Sequence, residues 1–153
     1  MEVLLLCGYF ESKYQAEITK KTKTWVENAA NTFQKRLISG FKKRNIALTI
    51  VSAPFIGPWP TAYKDINFKC FEAGESEDGI IYVSFNNVWG FRNISRAATL
   101  KKQVRTFLKK CESDEKAIIV YSPHTPFLEA AVYGKLLILV CKFIWLYPIC
   151  LSI

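Results

Sequence analysis

The chain is poor in the residues that usually announce a metal or redox site. It has one histidine, His124, and its five cysteines (Cys7, Cys70, Cys111, Cys141 and Cys150) are widely spaced, with no Cys-x-x-Cys pair. A zinc site is therefore not expected, and the odd thiol count points to reduced cysteines in a cytoplasmic chain rather than a disulfide framework. A secretory leader is not expected either: Glu2 stands where such a segment carries positive charge, and Gly8-Tyr9 interrupts the apolar run. Internal repeats and low-complexity tracts are absent. Acidic residues are scarce, with 13 Asp and Glu against 21 Lys and Arg and a net charge of +8. That balance favours anionic partners. Nucleic acid is set aside among them, because the basic residues are spread over separate helices, with no recognition motif and no interleaved stacking aromatics.

Half of the 153 residues are hydrophobic, enough for one domain with a proper core. VLLLC (Val3 to Cys7) reads as a central parallel strand buried on both faces. Glu11 to Glu27 carries four lysines without clear periodicity and is expected to be an exposed loop. From Asn28, the recurrence of Ala30, Phe33, Leu37 and Phe41 predicts an amphipathic helix, with Gln34, Lys35, Lys42 and Lys43 pointing elsewhere. Asn45 can close it, and ALTIVS (Ala47 to Ser52) follows as a second strand, which makes a right-handed crossover unit.

Pro54, Gly57, Pro58 and Pro60 predict an irregular loop from Ala53 to Asp65. Asn67 to Phe71 and IIYVSF (Ile80 to Phe85) are expected as two strands flanking the acidic turn from Glu75 to Gly79. After a loop rich in Asn and aromatics, Ser95 is expected to cap a helix whose apolar face is Leu100, Val104, Phe107, Leu108 and Cys111.

The stretch around which the chain is organised is AIIVYSPHTPFLEAAVYG (Ala117 to Gly134), a strand, a turn and a helix. Thr125 is expected as the N-cap and Pro126 in the first turn, so the helix amides would face whatever binds beside His124. In LLILVCKFIWLYPICLSI (Leu136 to Ile153), Lys142 and Pro148 argue against a membrane span, and Leu136 to Val140 suits another buried strand. The whole predicts an α/β fold: an open, mainly parallel sheet with helices on both faces and ligands at the carboxyl edge of its strands.

NAANTFQKRLISGFKKRN, SAPFIGPWP and AIIVYSPHTPFLEAA resemble the N-terminal half of glycosyltransferase family 4 enzymes of bacterial surface-polysaccharide synthesis. The resemblance covers roughly Glu2 to Lys135. It implies a Rossmann-like domain, one half of a GT-B fold, that binds mainly the acceptor, a glycan or lipid-linked glycan. It also implies that Gly8, Tyr9, Asn31, Asn86, Asn87, Ser122 and Thr125 line an interdomain cleft. There His124 would help hold a nucleotide-sugar donor during catalysis, with no metal or other cofactor. The family's donor-side Arg and Lys pair and Glu-x7-Glu motif do not occur in this sequence, and Glu72 and Glu75 should not be given that role.

The expectation is thus an N-terminal fragment of a sugar transferase, cytoplasmic and inactive alone, with an apolar tail over residues 136–153. One permitted set of codons for IWLYPICLSI, read in another frame, gives LVVSDLPEY, similar to the family's V-x-D-L-P-E-Y segment, so the tail is expected to follow a frameshift. The alternative is a non-catalytic module that binds an acceptor, or whose basic helices make peripheral contact with anionic membrane at its inner face.

Overall fold

A computed structural model of the chain describes residues 1–69, 79–137 and, as backbone strand, 142–145. The expected acidic turn from Glu75 to Asp78, together with Cys70, Cys141, Cys150 and most of the apolar tail, lies outside the described residues.

The main sheet is five-stranded and parallel throughout. Its strands are β1 (Glu2–Cys7), β2 (Ala47–Ser52), β4 (Ile80–Tyr82), β6 (Lys116–Val120) and β7 (Lys142–Trp145), in the order β4-β2-β1-β6-β7. The continuous apolar run of β1 earns it the centre, where Val3 to Cys7 are all buried. A small antiparallel pair, β3 (Asn67–Phe68) with β5 (Phe85–Asn86), stands apart. The helices are α1 (Ser12–Lys21), α2 (Asn28–Lys43), α3 (Arg92–Lys110) and α4 (Thr125–Leu137).

Connections out of β1 run one way across the sheet, to β2, while those out of β4 and β6 run the other way. Right-handed crossovers therefore place α1 and α2 on one face and α3 and α4 on the opposite face. The predicted α/β architecture, Rossmann-like with helices on both faces, is the one observed.

Several local expectations are corrected. The stretch expected as an exposed loop after Glu11 contains α1, because Tyr14 and Ile18, one turn apart, are enough to bury one face of an otherwise polar helix. The buried residues of α2 are Gln34 and Ile38, whereas Phe33 is half exposed, so the inward stripe is rotated from the apolar series. Asn45 does end this helix, in the left-handed region at φ 53°. Its amide bonds Lys42 O at 3.0 Å, and that of Ile46 reaches Phe41 O at 3.3 Å, a Schellman pattern.

The two strands expected to flank the acidic turn pair only where Phe68 faces Phe85. IIYVSF splits at Val83-Ser84 into β4, parallel to β2, and β5, antiparallel to β3. Ser95 is not the cap of α3, which begins three residues earlier after a turn whose Gly90 sits at φ 86°. Ser95 instead accepts the Asn86 amide at 2.9 Å. Thr125 is already helical, and the His124 carbonyl takes the first bonds of α4, from Phe127 N at 2.9 Å and Leu128 N at 3.2 Å. Leu136 and Leu137 end α4 rather than begin a strand, and the last strand lies at Lys142–Trp145, with Ile144 opposite Ile119.

Candidate functional site

At the carboxyl edge, the chain leaving β1 turns towards α2 on one face and the chain leaving β6 turns towards α4 on the other. This reversal between neighbouring strands marks the usual ligand position in an open parallel sheet, outside the carboxyl edge. Gly8-Tyr9 lies on one side of it and Tyr121 to Thr125 on the other.

A third segment, the proline-rich loop after β2, fills the space between. Phe55 sits at its centre, with its ring 5.9 Å from the His124 ring, 5.7 Å from Phe127 and 6.4 Å from Tyr121. A Cβ on Gly8 would overlap the Phe55 ring, so glycine is needed for the close approach. The Gly8 amide donates to Oε1 of Gln34 at 2.8 Å, an amide side chain buried under the loop. Ser52 Oγ donates to the Tyr9 carbonyl, and Tyr9 is itself buried.

The asparagines hold loops. Asn31 clamps Phe10 from both sides, accepting its amide at 2.9 Å and donating to its carbonyl at 2.8 Å. Asn86 accepts from Val88 N at 3.0 Å and donates to Asn67 Oδ1 at 3.1 Å. Asn87, fully buried, donates to Gly57 O at 2.8 Å and leaves its Oδ1 unpartnered. Gly8, Tyr9, Asn31, Ser122, His124 and Thr125 are brought to the carboxyl edge, while Asn87 supports the β2 loop from the side of β5 and Asn86 ties β5 to Asn67 and Ser95. Ser122 is half-buried and Thr125 exposed at the surface of the turn.

His124 is partly buried, and Nδ1 has no hydrogen-bond partner. Burial, with a smaller push from Arg96 and Arg92, lowers its pKa to about 4. It is a neutral imidazole at physiological pH, able to donate at one nitrogen and accept at the other. Cys7, at the end of β1, is no nucleophile here, because burial raises its thiol to about 12.

Three residues of the site were not singled out from the sequence. Gln34 looked like part of a solvated face, and only the helix rotation shows it under Gly8. Arg92 and Arg96 lie one turn apart at the start of α3, four residues from each other, a spacing that could have flagged them as one face. Arg96 is fully buried; its Nη2 donates to Pro54 O at 2.9 Å, and the guanidinium lies 4.1 Å from the centre of the Phe85 ring. Arg92 Nη2 donates to Ile56 O at 3.0 Å.

Among the described residues, no group of three His, Cys, Asp or Glu side chains is placed to hold a metal ion, and no helix is long and apolar enough to cross a membrane. No protein-family model matches the chain, and no curated protein or solved structure is significantly similar to it.

Proposed function

We propose that the chain is the acceptor-side half of a sugar transferase, which holds a glycan or lipid-linked acceptor at the carboxyl edge and meets a nucleotide-sugar donor held by a second Rossmann-like domain. The observation that carries this reading is the convergence of the Gly8 turn and the His124 turn on Phe55 at the point where the sheet connections reverse. The resemblance of NAANTFQKRLISGFKKRN and AIIVYSPHTPFLEAA supplies the chemistry. His124, neutral and with a free ring nitrogen, would hydrogen-bond the donor sugar or its phosphate as the glycosidic bond breaks. The scaffold around it fixes the loops in advance, so that catalysis is positional and electrostatic.

Under this reading the chain alone transfers no sugar and binds nucleotide sugar weakly, since most of the donor contacts belong to the other domain. The test is a transfer assay with a radiolabelled nucleotide sugar and a lipid-linked acceptor, run with the chain alone and with a separately expressed donor-binding domain. Transfer that needs both halves and is lost in His124→Ala is the expected result. Turnover by the chain alone, or tight nucleotide-sugar binding in calorimetry, would overturn it.

One surface favours the membrane-module reading as a second possibility. Trp89, Phe91 and Ile94, at the start of α3, are 78%, 67% and 68% exposed, beside Arg92 on the same turn. Such a cluster of apolar tips and positive charge suits an anionic membrane surface. Sedimentation with anionic vesicles that falls with salt and in Trp89→Ser would support it, and no sedimentation at low salt would exclude it.

A further inference from the structure

We propose that Arg92 and Arg96 of α3, together with His124 at the start of α4, form a binding site for a phosphate or diphosphate group. Three successive residues of the β2 loop bring these groups together. Pro54 accepts from Arg96, Phe55 stacks edge-on against His124, and Ile56 accepts from Arg92. The loop thereby gathers two guanidiniums and an imidazole along residues 54–56.

The cluster is positive and incompletely bonded. Each guanidinium has five N–H donors, yet Arg92 Nε and Arg96 Nε and Nη1 are buried without a partner, as is His124 Nδ1. Among the described residues, no carboxylate pairs with either arginine. Burying unpaired charge is costly, and here a fully buried guanidinium and a partly buried one repel each other, which a bound dianion would relieve. The three groups also feel one another: Arg96 is lowered to about 9 by burial and then by Arg92, and both arginines add to the depression of His124.

Access sets the roles. Arg92 and His124 are only partly buried and would meet the phosphate oxygens, with Arg92 offering the planar fork that suits them. Arg96 is fully covered and would add charge from behind, at short range and low dielectric. The positive end of α3, which begins at Arg92, points the same way. The site does not depend on the proposed transferase activity; failed sugar transfer with retained phosphate binding would remove that function and leave this site.

His124 is the sole histidine, so its ring protons report on the site without overlap. The experiment is a pH titration of those protons by NMR with and without inorganic pyrophosphate, chloride being matched for ionic strength. A bound anion should raise the His124 pKa by at least about one unit and raise the melting temperature above the chloride control. Arg92→Gln should weaken pyrophosphate binding by about tenfold or more, the usual scale for a charge-assisted pair. Arg105→Gln, an equal loss of charge on the exposed side of α3, should leave it unchanged.

Equal weakening by both variants would show a diffuse charge effect and overturn the site. So would a wild-type chain whose histidine titration and melting are indifferent to pyrophosphate, a result that needs no variant to fold. Vesicles containing phosphatidic acid, compared with phosphatidylcholine alone, distinguish the source. Arg92-dependent capture by the former assigns a lipid phosphate, and pyrophosphate binding without capture assigns a soluble phosphoester.

Discussion

Replacing Gln34 with leucine should loosen the turn that leads into the candidate site, because the bond that holds its first residue is a buried one to Gln34. Gln34 is 1% exposed, and its Oε1 receives the buried Gly8 amide at 2.8 Å. Its other bond, Nε2 to Ala30 O at 3.1 Å, lies within α2 and duplicates the helix's own bonding. Leucine is close in volume, so Gln34→Leu leaves little cavity and isolates the lost acceptor. A stranded buried N–H costs about 1–3 kcal/mol, offset in part by burial of the more apolar side chain. The expected net loss is about 1–2 kcal/mol, or roughly 2–8 °C in melting temperature for a chain of this size. Urea unfolding followed by amide exchange separates the global from the local effect. The Gly8 amide should exchange faster while those of Leu4 to Leu6, inside β1, keep their protection relative to global stability. Stability within about 0.5 kcal/mol of the parent, with Gly8 still protected, would refute the reasoning.

Three further changes probe other parts of the account. Gly134→Ala adds a Cβ that would sit 2.5 Å from Ile118 Cδ1 and 2.8 Å from Val104 Cγ1; overpacking of about 1–3 kcal/mol should outweigh the helix-propensity gain of about 1 kcal/mol, and a more stable protein in urea would contradict it. Because the folded-state pKa of His124 lies near 4 against 6.5 when unfolded, the unfolded chain binds more protons between those values. Stability contributed by the neutral imidazole is therefore present above about pH 6.5 and is lost as pH falls towards 4; His124→Gln should flatten the loss between pH 7 and 5 in denaturant curves, and an unchanged slope would count against the burial of the ring. Asn31→Ala breaks both bonds to Phe10, while Asn31→Asp keeps the acceptor; the alanine variant should lose about 1–2 kcal/mol and the aspartate variant less, an order that thermal melts can reverse if the clamp is not real.

The parts of the fold that were legible in the sequence are those where one physical signal dominates. VLLLC and AIIV are short unbroken apolar runs, and a strand covered on both faces needs nothing subtler. The strand-helix-strand order then fixed the parallel sheet and the edge on which Gly8 and His124 meet. Signals failed where a few residues do the work of many. The helix α1 is anchored by Tyr14 and Ile18 alone, and no periodicity can be read from two positions.

Polar burial was the other blind spot. Gln34, Asn87 and Arg96 are buried because backbone groups of distant loops, at Gly8, Gly57 and Pro54, wait for them. Such partners are set by the tertiary path and leave no mark on local composition. The cap of α3 was misplaced for a related reason, since Gly90 supplies the turn and the hydroxyl of Ser95 is taken by Asn86.

The central claim is that ligand binds at the carboxyl edge, between the turn after β1 and the turn after β6. Amide chemical-shift mapping with a water-soluble prenyl-diphosphate sugar as acceptor analogue tests it most directly. Shifts concentrated at Gly8 to Phe10, Phe55, Arg92 and Ser122 to Thr125, all reduced in Arg92→Gln, are the expected result. Shifts confined to the opposite edge, around Glu2, Ala47 and Lys116, or no saturable shifts at millimolar analogue, would contradict it.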